Sequence, residues 1–257
     1  ERFVDALFAP AFNTSELLGL ERREAAELVV TGGFPEVHER TEPVRRQAWF
    51  RSYVSTLLQR DVRDLAAIDR VAELPRLLRL IVERTGALAN AADLSRSAGI
   101  PLTTLKRYLV LLESVFLVRT LPPWSGNRMV RLVKMPKFYP VDSGVGAHVL
   151  DLDADALTSA PERFGSLLEA FVLGEVHKQL GWSQTMAAPF FYRTHGGDEV
   201  DLVLEDRRGR CVAVEVKCAA TLARSDLGGI ERFAAAAARR FHRGVVLYLG
   251  REVVPFG

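Results

Sequence analysis

The sequence predicts an α+β chain, helical through its first half and closing on a mixed β-sheet flanked by helices. Three observations carry this. Apolar residues recur at helical spacing up to about Glu113. Val200, Leu202 and Leu204 alternate with polar residues, as do Val212, Val214 and Val216. The order after Pro161 is helix, strand, hairpin, helix, strand, which builds a sheet with helices against it.

Each element follows from local residue choice. Up to about Asp69 the chain reads as helical with a break at Gly32-Gly33-Phe34-Pro35; Trp49, Phe50, Tyr53, Val54, Leu57 and Leu58 then mark a buried face. A helix near Leu74–Arg84 carries Leu77, Leu78, Ile81 and Val82 on one side and stops at Gly86. Asn90 is placed to cap the next helix and Gly99 to end it. Thr103 or Thr104 then caps a third helix, whose buried stripe would be Leu102, Leu105, Leu109, Leu112 and Phe116. Lys106 and Arg107 lie off that stripe, toward solvent. Two extended segments, Val115–Leu121 and Val130–Tyr139, flank the turn-rich loop Pro122–Asn127. Helix, tight turn, exposed basic helix and basic hairpin together describe a winged helix. Its DNA contacts would be Lys106 and Arg107 on the helix and Arg128, Arg131 and Lys134 on the wing. A winged helix that docks on protein fits the same pattern, because fold alone does not fix function.

The 257 residues suit more than one domain, and the expected division is 1–69, 70–150 and 151–257. The net charge of +2 hides an asymmetry. Between Arg96 and Pro140 eight basic residues stand against the single acid Glu113, leaving the remainder of the chain net acidic. Concentrated basic charge predicts a polyanionic partner, and a solvated basic face is the alternative. No run approaches the roughly 18–20 apolar residues of a membrane span, so no membrane partner is expected. The start, Glu1-Arg2-Phe3-Val4-Asp5, lacks Met and any leader pattern, and reads as cut from a longer chain. Cys211 and Cys218 flank one short strand and cannot easily bridge, and no zinc spacing occurs among Cys and His. A reducing cytoplasm is the expected location.

The hairpin carries the chemistry. A three-residue loop, Arg207-Arg208-Gly209, pairs Asp206 with Arg210, and counting back pairs Asp201 with Glu215. A slip by one residue would set valines against acids. Asp201, Glu215 and Lys217 then share the face opposite the valines. Facing carboxylates repel, and Mg²⁺ (or Mn²⁺) held by one or two carboxylates plus water would resolve that. Lys217, two residues on, could steady a metal-bound water or developing phosphate charge. A solvent-facing charged hairpin is the plainer alternative. On the preceding helix, phase puts Glu175 nearer the middle of the apolar side and Glu169 at its flank; phase does not choose between ligand and salt bridge.

Asp201 with Glu215-Val216-Lys217, preceded by a helix carrying Gly165-Ser166-Leu167-Leu168-Glu169, resembles the PD-(D/E)XK nuclease superfamily over about residues 161–250. The resemblance implies a restriction-endonuclease-like domain in which Asp201 and Glu215 bind metal, Lys217 assists water and Glu169, favoured over Glu175, contributes. A second resemblance spans nearly the whole chain. Gly32-Gly33-Phe34-Pro35-Glu36, Leu58-Gln59-Arg60-Asp61-Val62, Thr104-Leu105-Lys106-Arg107-Tyr108, Leu121-Pro122-Pro123-Trp124 and the segment Lys134–Gly144 look like the carboxyl-terminal region of a prokaryotic AAA-type ATPase family. Its implications are an ATPase module preceding this chain, with ATP bound there, and an appended domain of unknown function. No Gly-x-x-x-x-Gly-Lys-Ser/Thr occurs here, so this chain is not expected to hydrolyse ATP. The resulting expectation is a DNA-binding accessory region with a Mg²⁺-dependent nuclease domain, the ATPase module as partner and self-association as a further partner expectation. The rival is a catalytically inactive module of the same fold that binds DNA or protein and regulates the ATPase.

Overall fold

The protein, studied as a computed structural model, is described here for all residues except 1, 13–18, 63–72, 128, 130, 132–134 and 257. It is a mixed α+β chain of two compact units that interleave along the sequence. The helical unit comprises Ala26–Leu121 and Met135–Phe171; the sheet unit comprises Glu1–Ala25, Pro122–Lys134 and Val172–Gly257. Each unit is thus assembled from several segments rather than from one consecutive stretch. Segments distant in sequence supply backbone and buried side chains to the sheet unit, and those interactions place them there.

In the helical unit, helix α1 (Arg22–Thr31, begun in the sheet unit) runs into the turn at Gly32, followed by a short helix at Pro35–His38. Helix α2 (Pro43–Thr56) ends in a π-helical turn at Leu57–Asp61. Gly32 has φ +70°, and a Cβ there would run into the Asp142 carboxylate. That carboxylate accepts from Gly33 N at 2.7 Å and from Gly144 N at 2.9 Å and Val145 N at 3.2 Å. Two glycine-bearing motifs more than a hundred residues apart are thus one staple: Asp142 caps a helix and fixes the turn at Gly32-Gly33.

Helix α3 (Leu74–Val82) buries Leu74, Leu77, Leu78, Ile81 and Val82, an apolar face contributing about 1.5–3 kcal/mol for each of its large side chains. Helix α4 (Ala91–Ala98) starts on Asn90, whose side chain accepts from Asp93 N, and stops at Gly99, φ +67°, both as expected. Helix α5 (Leu102–Ser114) begins one residue after Pro101 with no side-chain cap, so neither Thr103 nor Thr104 caps it. Pro101 fixes φ for entry, which removes the need for a hydroxyl. Its buried set is Leu105, Tyr108, Leu109, Leu111 and Leu112; Leu102 is 40% exposed and Phe116 70% exposed. Three of the five expected stripe residues are therefore buried: the 7-residue recurrence drifts around a 3.6-residue helix, and Phe116 sits past the helix end at φ +55°.

Strands β1 (Val118–Leu121) and β2 (Lys137–Pro140) pair antiparallel, with Val118 opposite Pro140 and Leu121 opposite Lys137. Of the expected segment Val130–Tyr139, residues 130 and 132–134 lie outside the described residues, residue 131 is helical like residue 129, and the strand covers Lys137–Pro140. Helix α6 (Ser143–Val149) and a short helix at Ala154–Thr158 lead to α7 (Pro161–Leu180), within which the division between the units falls.

The sheet unit is built on four strands, β3 (Ala187–Arg193), β4 (Glu199–Asp206), β5 (Cys211–Lys217) and β6 (Phe241–Tyr248), in the order β3-β4-β5-β6. The first three are antiparallel neighbours and β6 runs parallel to β5, reached through helix α8 (Gly228–Ala237). Parallel pairing requires such a crossover, and an alanine-rich helix supplies it compactly. Gly229 makes this possible, since a Cβ there would strike the Glu199 carbonyl oxygen on β4. Trp124, Val203, Ala213, Ile230 and Phe233 form the core between sheet and α8. The same unit takes in the amino terminus: Arg243 on β6 donates to the carbonyls of Ala6, Leu7, Ala9 and Pro10 at 3.0–3.3 Å, closing the end of the helix Phe3–Phe8.

Candidate metal and phosphate site on the β4–β5 hairpin

The hairpin turns as its residues dictate. Gly209 takes φ +80°, Asp206 N donates to Arg210 O at 3.0 Å, and the Asp206 carboxylate accepts from Arg208 N and Arg210 N. Leu202 faces Val214 and Glu205 faces Cys211, the expected register as far as the ladder runs, and it ends one residue short of Asp201 and Glu215. One expectation fails. Val200 does not share a face with Leu202 and Leu204; it packs with Val203, Ala213 and Phe233. The β3–β4 register shifts between Phe190 and Tyr192, a bulge that breaks the two-residue alternation beside the candidate site.

At this end of the hairpin, side chains replace ladder bonds. Asp201 Oδ2 accepts from Val216 N at 2.8 Å, and Glu215 Oε2 lies 3.4 Å from Asp201 N. Lys217 Nζ donates to Glu215 Oε1 at 2.8 Å. Glu215 is buried, and its side chain is 9% exposed against 31% for Lys217. Burial alone would lower the Lys217 pKa. The hydrogen bond and charge of Glu215, with the charges of Asp201 and Asp226, outweigh it and hold the ammonium above the ordinary lysine range. Asp226, from the turn before α8, belongs to this electrostatic cluster and was not singled out in the sequence; its spacing from the hairpin carries no signal.

The donor set suits a hard divalent cation in its minimal form. Mg²⁺ is held by one or two carboxylates and keeps several waters, and Asp201 and Glu215 supply two. Among the described residues, no group of three or more His, Cys, Asp or Glu side chains could hold a metal ion.

Glu169 lies on the part of α7 in the helical unit, where its carboxylate accepts from Tyr139 Oη and pairs with Lys137 Nζ at 3.2 Å. Lys137, counted above in the basic stretch, is 1% exposed and committed to this pair. Glu175 is 41% exposed and paired with Lys178, so helical phase ranked the two glutamates in the wrong order. A glutamate at the flank of the stripe is the less exposed of the two because Lys137 and Tyr139 come to meet it.

Of the residues expected to contact DNA, Lys106 and Arg107 are exposed on α5. Arg128 and Lys134 lie outside the described residues. Arg131 is not on a wing. Its side chain is 9% exposed, donating to Glu205 Oε2 at 2.7 Å and to Ser125 O, with the guanidinium over Phe190 at 4.6 Å and Trp124 at 5.6 Å. Trp124 Nε1 donates to the same Glu205 oxygen at 2.7 Å. Backbone pairing of Pro122 and Trp124 with Phe191 draws this segment into the sheet unit.

The fold and this cluster define a mixed α+β protein with a carboxylate–lysine site on a sheet hairpin. The chain belongs to the family Domain of unknown function (DUF8612), which matches residues 22–156, and residues 164–257 match a second family, Domain of unknown function (DUF4143). It is 30% identical over 211 residues to the uncharacterized proteins Mb2031c of Mycobacterium bovis and Rv2008c of Mycobacterium tuberculosis. The match covers 80% of this chain but 47% of theirs, so the chain spans about half the length of the curated relatives it matches. No solved structure matches. No helix among the described residues is long and apolar enough to cross a membrane.

Proposed function

We propose that the sheet unit is a restriction-endonuclease-like domain that hydrolyses phosphodiesters with Mg²⁺ or Mn²⁺, in a DNA-directed accessory region of an AAA-type ATPase. The observation that carries this reading is the cluster at the end of the β4–β5 ladder, where Asp201 Oδ2 accepts from Val216 N, Asp201 N lies 3.4 Å from Glu215 Oε2 and Lys217 Nζ donates to Glu215 Oε1. The order helix, three antiparallel strands, helix and parallel strand supports it. The second family is one found in carboxyl-terminal regions associated with AAA-type ATPases, which supports the setting. Asp201 and Glu215 would hold the metal. When bound, it supplies Lewis-acid polarisation of the phosphate and a nucleophilic water at neutral pH. Lys217, kept protonated by its neighbours, places a positive charge where phosphate charge grows in the transition state. Lys106 and Arg107 would hold duplex backbone, with ATP confined to the preceding module and cytoplasm as the setting.

One observation favours a non-catalytic module instead. Asp201 and Glu215 are already engaged by Val216 N and Lys217 Nζ, so the cluster is self-satisfied without metal. Calorimetric titration with Mn²⁺, paired with cleavage of plasmid and branched DNA, decides between them. The expected result is Mn²⁺ binding lost in Asp201→Ala and cleavage lost in Lys217→Ala. Wild-type protein that binds no Mn²⁺, or binding that Asp201→Ala leaves intact, refutes the metal site; metal binding without cleavage selects the non-catalytic module.

A further inference from the structure

At the other end of the same hairpin, four arginines converge. Arg207 and Arg208 form the β4–β5 turn and are exposed; Arg239 (exposed) and Arg240 (half-buried) end the turn between α8 and β6. The parallel register sets Cys211 beside Phe241, so the two turns are neighbours. A Cβ on Gly209 would lie 3.9 Å from Arg240 Cδ, and one on Gly126 3.3 Å from Arg240 Nη2. Arg240 lies over the Trp124 ring at 4.8 Å.

The acids at this end are already committed. Asp206 pairs with Arg210 at 2.8 Å and caps the turn, while Glu205 is buried with Arg131 and Trp124. Among the described residues, no carboxylate pairs with Arg207, Arg208 or Arg239. Like charges crowded on one edge repel, and an external anion would relieve that. The cations are all arginine, whose planar fork binds phosphate oxygens in pairs and sheds water more readily than lysine.

We infer that Arg207, Arg208, Arg239 and Arg240 form a binding surface for the phosphate backbone of nucleic acid. This deepens the nucleic-acid reading above and rests on it, but not on hydrolysis. Five residues of β4 separate Asp201 from Asp206, about 17 Å at strand rise. Backbone phosphates recur about every 3.4 Å along one strand of DNA, so a duplex held here reaches Asp201 some five base pairs on. The surface would then set the distance between the grip and the Asp201 site.

The test is fluorescence anisotropy of a short labelled DNA duplex with the 257-residue chain, in EDTA, over a KCl series. Arg207→Ala/Arg208→Ala/Arg239→Ala should weaken binding about tenfold or more at low salt. It should also flatten the log–log salt dependence by about 0.9 for each phosphate no longer neutralised. Should the triple variant fail to fold by circular dichroism, Arg207→Gln/Arg208→Gln at the exposed turn gives the same reading with a smaller loss. Unchanged affinity and slope in a folded variant overturns the inference. Absence of DNA binding by the wild type does so too, as does wild-type binding to phosphatidylserine vesicles but not to DNA. Because duplex binding is read in EDTA and metal binding by Mn²⁺ titration without DNA, a failed metal site and a failed arginine surface give different results.

Discussion

Glu205 offers the sharpest test of how the Trp124–Arg131 segment is held in the sheet unit. Its carboxylate and the Arg131 guanidinium are 6% and 9% exposed and 2.7 Å apart. Glu205→Ala leaves a buried cation without its counterion and the Trp124 indole N–H without its acceptor. Breaking a buried pair from one side costs about 3–5 kcal/mol, and an orphaned buried donor about 1–3 kcal/mol; the two overlap, so about 4 kcal/mol is expected. At roughly 2–4 °C per kcal/mol for a chain of this size, the Tm should fall by about 10 °C. Arg131→Met/Glu205→Leu removes both charges while keeping bulk, and should recover most of that loss. Urea titrations followed by tryptophan fluorescence and far-ultraviolet circular dichroism give both numbers. A Glu205→Ala loss below about 1 kcal/mol, or a double variant as unstable as the sum of the singles, refutes the reasoning. Acid titration adds a second readout. Burial alone would raise the Glu205 pKa, but hydrogen bonds from Arg131 and Trp124 and the charges of Arg131 and Arg240 bring it below the ordinary range. A carboxyl lowered in the folded state contributes stability above its unfolded pKa, and that contribution disappears as pH falls through the folded value. Glu205→Gln should therefore flatten the acid limb of the stability profile.

Asp142→Ala strips the acceptor from three backbone N–H groups and should cost the helical unit about 2–3 kcal/mol, while Gly32→Ala should cost about 1–3 kcal/mol through its positive φ; thermal melts check both. Cys211 is buried beside the Glu205 carboxylate, and its thiol is pushed up to about 11, so a thiol-exchange reagent at neutral pH should modify Cys218 and leave Cys211 untouched in the folded protein. Lys217→Met leaves the buried Glu215 carboxylate without its cation and should cost about 1–3 kcal/mol, less than the Glu205 case because the Lys217 end is partly solvated. Since the Lys217 pKa is raised on folding, what it contributes is present below the ordinary lysine value and fades as pH climbs through the folded one, so the variant's deficit should vanish in strong alkali.

Several features are legible from sequence alone because adjacent residues enforce them. Arg207-Arg208-Gly209 selects a three-residue turn, and with the valine ladder it fixes the register from Glu205–Cys211 to Leu202–Val214. Asn90 and Gly99 bracket α4 for equally local reasons. The helix expected after Pro161 is α7, which starts at that residue.

Only tertiary structure decided the rest, where a side chain's role depends on a partner far along the chain. Arg131 and Lys137 looked like basic surface because nothing near them in sequence carries their counter-charges. Glu205 and Glu169, 74 and 32 residues away, draw both cations out of solvent into ion pairs. The bulge opposite Phe190–Tyr192, where β4 takes three residues to two of β3, moved Val200 across the sheet, and it shows only in the pairing of the two strands. The arginine surface exists because a parallel crossover brings the turn before β6 beside the β4–β5 turn. Turn chemistry and periodicity act between neighbours and are written in order along the chain. Charge pairing and burial act across space, so their outcome waits on which strands meet.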